Sequence, residues 1–320
     1  AETWRVAAPG ARWHYSNEGY LLLGRLLERA DGVSYADALQ RRLLTPLGMT
    51  RSTFDPDVVA ADSDRVQPVM HDEQGRFVPG ANLHGVMPAA GGLVSTPDDL
   101  SQLAQLLLRR GRLPDGTKLL SESLVTEMTA DDVSLDAPTP LDAFPLWNDP
   151  QRVNGAGLQR HLDVLGHDVW AHGGGVMGGT AYVAVAPEAN IGVVLLSNAH
   201  GYPLAQLALV ALGSLLGAAP EDLAFVRRQR LLTRLAGTYA AWGSSITAHL
   251  LPRSWGLELT FDYQPQGRSV PLVLLDHDEP RGETRFLSLG SGRPGTAIIQ
   301  ETDDDCTLVY ERYALKRARL

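Results

Sequence analysis

Two short stretches of this chain gather side chains that can do chemistry. The first is Pro9-Gly10-Ala11-Arg12-Trp13-His14-Tyr15-Ser16-Asn17-Glu18-Gly19-Tyr20, which runs straight into an apolar helical pattern. The second is Trp170-Ala171-His172-Gly173-Gly174-Gly175-Val176-Met177-Gly178-Gly179, followed by strand-like runs. A tyrosine phenol can move a proton, but its ordinary pKa of about 10 makes it a poor base at neutral pH unless a cation lowers it. A histidine is only a part-time cation, because its ordinary pKa is about 6.5. On residue type alone each stretch also has a plainer reading. Tyr15-Ser16-Asn17 can be a helix cap beside a packed tyrosine, and His172 a hydrogen-bonded residue at a strand end.

Several other chemistries are disfavoured. Gly173-x-Gly175-x-x-Gly178 has the letters of a dinucleotide fingerprint, but a strand follows it where that motif needs a helix. His161, His167, Asp168 and His172 match no common zinc spacing. The single cysteine, Cys306, excludes an intrachain disulfide framework and a cysteine-cluster metal site. No cofactor is expected. The formal net charge of −9 argues against a nucleic-acid partner, which needs a basic face. The uncharged stretch 201–220 is short of the ~20 apolar residues of a membrane span and reads as a buried helix.

The elements that must position these residues follow from periodicity and turn chemistry. A helix is predicted over Asn17–Asp31, with Leu22, Leu26 and Ala30 on an apolar stripe widened by Leu23 and Leu27. Thr96-Pro97-Asp98-Asp99 is a helix start, and the helix runs through Leu100, Leu103 and Leu107 to Gly111. Ser121-Glu122 opens another. From Asp168 the pattern becomes strands, with Pro187–Asn190 supplying a hairpin turn and a helix starting at Pro203. The texture changes near 220–235. Residues 1–222 carry 15 basic and 26 acidic side chains, net −11, while residues 223–320 carry 13 and 11, net +2. Beyond that point SSITAHLL, WGLELTFDY, VPLVLLD, ETRFLSL, TAIIQET and TLVYERYAL read as short strands of a small barrel or sandwich. The fold class is therefore α/β (α+β) with an antiparallel sheet flanked by helices, then a small all-β domain.

The two chemistry-bearing stretches, in this order, resemble the serine β-lactamase and DD-peptidase (penicillin-binding protein) superfamily, in particular its class C-like branch of peptidases, D-aminopeptidases and esterases. Pro88-Ala89-Ala90-Gly91-Gly92-Leu93-Val94-Ser95-Thr96-Pro97-Asp98-Asp99-Leu100 is similar to a third element of that family. The resemblance implies that Tyr15 is the general acid/base beside a serine nucleophile and that Asn17 hydrogen-bonds the substrate's amide. It implies that His172 replaces the residue of the Lys-Thr-Gly or His-x-Gly motif, and that Gly173 and Gly174 keep the strand open to substrate. Gly175 would give one oxyanion-hole N–H, a donor worth about 3 kcal/mol in the transition state.

The chain departs from the family in one respect. The first motif, Ser-x-x-Lys, which sets nucleophile and lysine on one helical face, does not occur. The only lysines are Lys118 and Lys316, and Asp115 and Tyr313 stand three residues before them. With Ala1 at its start, the chain is expected to be the later part of a longer hydrolase, or one piece of a two-chain enzyme whose other segment carries Ser-x-x-Lys, and to be inactive by itself. A further similarity covers Leu235-Ala236-Gly237-Thr238-Tyr239, which resembles the start of the lipocalin-like domains appended to some of these hydrolases. The expected layout is a β-lactamase-related domain over 1–222 and a lipocalin-like barrel over 230–320. The expected activity is acyl-enzyme hydrolysis of a small-molecule or peptide substrate (small amides, D-peptides or esters), in the periplasm or outside the cell by family resemblance. The competing reading is a non-catalytic binding or scaffold protein made from a β-lactamase-like remnant and a ligand-binding barrel.

Overall fold

Four hydroxyl side chains set where helices begin. The computed structural model describes residues 8, 15–80, 87–130, 152–253, 255–262, 269–290 and 294–318. Ser16, Ser34, Thr96 and Ser121 each sit in extended backbone and accept a hydrogen bond from the amide three residues on, at 3.0–3.2 Å. Each satisfies one of the donors that a helix start leaves unpaired. They open α1 (Asn17–Asp31) and α2 (Tyr35–Leu39), and later, after α3 (Thr45–Leu47), α4 (Pro56–Ala61) and α5 (Pro88–Gly91), α6 (Pro97–Leu108) and α7 (Glu122–Thr129). The helix α1 stops at Gly32, whose left-handed φ of 68° lets its N–H reach the Glu28 carbonyl. A small hairpin, β1 (Val69–His71) with β2 (Phe77–Pro79), lies between α4 and α5.

The sheet that follows is an antiparallel meander in chain order: β3 (Arg152–Asn154), β4 (Gln159–Val164), β5 (His167–Val176), β6 (Gly179–Ala186) and β7 (Ile191–Ser197). Helix α6 packs its leucines toward Val183, Val185 and Val194. Helix α8 (Leu204–Leu215) also packs on β6 and β7 and buries Leu204, Ala208, Leu209 and Leu212. At 12 residues it is a core helix. Among the described residues no helix is long and apolar enough to cross a membrane.

The leucine stripe of α1 is where the structure departs from the periodicity. Leu22, Leu23 and Leu26 are 57–67% exposed, and the buried residue of the helix is Gly24. The reason is a close approach on another face. A Cβ at Gly24 would stand 2.6 Å from the Ala89 Cβ, so α1 seats against α5 through its glycine.

The chain forms two compact units, the described residues up to Ala218 and those from Ala219. The second opens with α9 (Ala224–Leu235) and continues as β8 (Gly237–Ala241), β9 (Ile246–Arg253), β10 (Gly256–Phe261), β11 (Val270–Asp278), β12 (Glu283–Ser288), β13 (Gly295–Glu301), β14 (Cys306–Tyr310) and β15 (Tyr313–Arg317). These eight strands close into an antiparallel barrel, with β15 pairing back onto β8 through Lys316↔Ala240 and Arg317↔Tyr239. Closure removes both sheet edges. The run TLVYERYAL, read as one strand, is two: Glu311, at φ 50°, turns the chain between β14 and β15. Inward positions are filled by Tyr239, Leu250, Leu257, Leu259, Leu272, Phe286, Leu308 and Leu315, none more than 1% exposed. They make a packed core of the barrel interior.

Candidate active site

The spacing in Tyr15-Ser16-Asn17 has a local cause. Ser16 is extended, at φ −148° and ψ 107°, so its side chain turns back to cap α1 while its two neighbours share the other side. The Tyr15 hydroxyl donates to Asn17 Oδ1 at 2.9 Å. Tyr15 is 60% exposed, so the pair stands at the open start of α1. Ser16 is thereby a capping residue. Of the motif around it, Pro9–His14 lie outside the described residues.

The strand β5 changes character halfway along. Its first half is interior to the sheet, with Val169, Trp170 and Ala171 buried and β4 paired on one side up to Gln159↔Ala171. From His172 to Val176 the strand keeps its β6 partners, His172↔Val183, Gly173↔Tyr182, Gly174↔Ala181 and Gly175↔Thr180. No described strand pairs with its other side there, and all five residues are exposed. The stretch is thus an open ladder edge able to take an extended backbone as an added strand. Of its three glycines Gly174 faces the most open space, where an added Cβ would meet only the Ala181 Cβ at 3.9 Å. The structure groups the sequence-predicted residues as a hydrogen-bonded pair at the head of α1, Tyr15 and Asn17, and a contiguous edge, His172–Gly175.

Residues 1–214 match the Beta-lactamase family model. The chain belongs to the beta-lactamase family. Residues 220–316, the α9 and barrel segment, match the Pab87 octamerisation domain. The chain is similar to penicillin-binding protein 4 of Amycolatopsis lactamdurans, 30% identical over 188 residues, covering 58% of this chain and 46% of the relative. It is 26% identical to the D-aminopeptidase of Gluconobacter oxydans over 311 residues, 95% of this chain and 50% of the relative. The chain therefore spans about half the length of these two curated relatives. Among solved structures, the octameric penicillin-binding protein homologue from Pyrococcus abyssi superposes with a TM-score of 0.84 and 31% identity, over 98% of this chain and 67% of that one.

Three residues of this family member's site region carry no sequence motif. Tyr182 lies across Gly173, where an added Cβ would come 3.0 Å from its Cδ2. Its hydroxyl stands 3.0 Å from His161 Nε2, and both side chains are buried. Burial, helped by the charge of Arg152, pushes His161 down to about 4, so the ring is neutral at pH 7. Burial also raises the Tyr182 phenol. The third is His200, exposed, whose Cε1 would lie 3.5 Å from a Cβ on Gly175. It is held at the strand end because Thr180, opposite Gly175, donates to the carbonyl of Ala199 at 2.8 Å. Asp168 accepts two hydrogen bonds from Arg160, whereas His167 Nδ1 is buried without a hydrogen-bond partner among the described residues, 3.9 Å from Glu188. Lys316 pairs with Asp305 in the barrel unit, and Lys118 sits in a turn bridged to Arg112.

Proposed function

We propose that this chain is the Tyr-x-Asn and His-x-Gly side of a serine hydrolase that works through an acyl-enzyme on small amides, peptides ending in D-residues, or esters. Tyr15 is the proton-transferring group, Asn17 holds the substrate's amide, and the open edge His172–Gly175 receives the substrate backbone, with the Gly175 N–H facing the developing oxyanion. The nucleophilic serine and its lysine come from a Ser-x-x-Lys segment outside residues 1–320, since the sequence has no such motif. The observation that carries this reading is the five-residue open edge of β5. Similarity to a D-aminopeptidase and to penicillin-binding proteins supports the substrate class.

Two further features support a packing segment supplied from elsewhere. Leu22, Leu23 and Leu26 of α1 are exposed. The outer strand β7, Ile191-Gly192-Val193-Val194-Leu195-Leu196, is an apolar run with α6 and α8 packed on it, which is the composition of an interior strand. Yet beyond the single Val69↔Ala199 bridge no described strand pairs along its outer side. The barrel unit, by its match to an octamerisation domain, serves self-association of the chain.

The decisive experiment compares the chain of residues 1–320 with a gene product extended to include an upstream Ser-x-x-Lys. A fluorescent penicillin or a fluorophosphonate should label the extended protein and leave residues 1–320 unlabelled. Tyr15→Phe in the extended protein should slow labelling by about 10²–10⁴-fold. Labelling of residues 1–320 themselves, or an extended protein that labels equally well without the Tyr15 hydroxyl, would overturn the reading.

A further inference from the structure

Among the described residues, one end of the barrel carries a row of aromatic rings whose outermost member is exposed. The ring of Phe261, the last residue of β10, lies tilted against Tyr310 and Tyr313, with centroids 5.8 Å and 6.2 Å away. Tyr313 meets Trp242 edge-on at 6.1 Å, and the Arg312 guanidinium lies 5.2 Å over the Tyr313 ring. The rings therefore run from the buried core to the surface: Phe261 and Tyr310 are buried, Tyr313 is half-buried, and Trp242 is 70% exposed. Leu289, at the same end because β12 runs parallel in space to β8, is 50% exposed.

The backbone presents this tryptophan against its preference. Trp242, Gly243 and Ser244 have φ of 51°, 64° and 69°, three left-handed residues in succession between β8 and β9. Glycine takes that conformation freely and asparagine readily, whereas a tryptophan rarely does. The turn is locked by two hydrogen bonds to the Trp242 carbonyl, from the Ser245 N–H at 3.2 Å and the Ser245 hydroxyl at 2.9 Å. A strained turn that holds a large apolar ring in water is the reverse of what monomer stability alone would produce. Exposed tryptophan beside tyrosine and arginine is the composition that dominates binding energy at protein interfaces.

We propose that this barrel end, centred on Trp242 with Tyr313 and Arg312, is the surface through which one copy of the chain binds another. The occupant is a second copy because this segment matches an octamerisation domain and the chain aligns over 98% of its length with an octameric homologue. The inference rests on the self-association reading above and adds the surface that carries it.

Trp242→Asn tests it, since asparagine keeps the left-handed turn and removes only the ring. Molar mass by light scattering is measured across a concentration series for the wild type, Trp242→Asn and Val309→Ser. Val309 lies on the outer barrel wall, 40% exposed, and serves as the comparison. A wild type that assembles, a Trp242→Asn chain whose assembly is about 30-fold weaker, and an unaffected Val309→Ser are the expected results. Trp242→Asn should melt at or above the wild-type monomer temperature, which separates loss of an interface from loss of fold. A wild type that assembles while Trp242→Asn keeps the same mass at every concentration overturns this surface alone. A wild type monomeric at every concentration overturns the self-association reading with it.

Discussion

His161 on β4 and Tyr182 on β6, twenty-one residues apart in sequence, meet across the intervening strand β5 with Nε2 and the hydroxyl 3.0 Å apart, and the Tyr182 ring covers Gly173 on the open edge. The edge strand thus has a floor whose polar tip is buried and satisfied by a neutral imidazole.

That neutrality makes stability pH-dependent with a definite sign. In the unfolded chain His161 takes a proton near its ordinary value of about 6.5, but in the fold it does so only near 4. Above about pH 6.5 both states are neutral and nothing is lost. Between there and pH 4 the unfolded state alone binds the proton, and folding loses up to about 3 kcal/mol. Urea titrations of the wild type and His161→Gln should differ by an amount that changes over this window and is level above it. A difference independent of pH from 7 to 4 would show that His161 does not titrate in this way.

Much of the scaffold was legible because its causes are local. Thr96 and Ser121 cap the helices predicted from them, Ser16 caps the helix predicted over Asn17–Asp31, and Pro187–Asn190 turns β6 into β7. What escaped depends on register or on close approach. His161 and His200 acquire their neighbours only when the sheet pairs, so no spacing marks them. The β14–β15 turn hid in TLVYERYAL because Glu311 and Arg312 stand where a glycine or asparagine would have announced it. The stripe of α1 gave no sign that the helix seats on α5 through Gly24, a contact that only the folded chain shows. Cys306 and Lys316 said nothing of the barrel until Tyr239 and Asp305 were seen beside them.

Gly24 carries the contact that places the head of α1. Alanine normally stabilises a helix interior by about 0.5–1 kcal/mol over glycine. Here the added methyl would meet the Ala89 Cβ at 2.6 Å, an overpacking that costs about 1–3 kcal/mol. Gly24→Ala should lower the melting temperature by a few degrees, and adding Ala89→Gly should recover most of it. An unchanged melt for the single variant would mean that α1 and α5 separate freely.

Asp99, in the segment that resembles a family motif, has a structural task. It is buried, and its Oδ2 accepts from the Arg51 N–H at 2.8 Å and the Ser52 hydroxyl at 2.7 Å. Ser52 is also buried and lies 2.7 Å from the Ser95 hydroxyl. Removing the carboxylate strands two donors, so Asp99→Ala should cost about 2–4 kcal/mol in chemical denaturation. Asp99→Asn, which keeps one acceptor oxygen, should cost less. Equal losses in the two variants would place the effect in helix capping instead of in this network.

Cys306 should behave as a buried apolar residue. It is 8% exposed, burial pushes its thiol up, and its Sγ stands 3.3 Å from the Tyr239 hydroxyl. Tyr239 gives its single hydrogen to the Leu235 carbonyl at 2.7 Å, which leaves the thiol to donate to the phenol. A thiol so held offers almost no thiolate to a reagent. Ellman's reagent at pH 8 should find no reactive thiol in the native chain and one per chain in urea. Tyr239→Phe removes the group that joins the end of α9 to β14, and should destabilise the barrel by about 1–2 kcal/mol. The aliphatic and aromatic core around Sγ is unchanged in that variant, so its native thiol should remain unreactive. Fast native labelling in Tyr239→Phe would mean that the hydrogen bond, and not burial, is what shields Cys306.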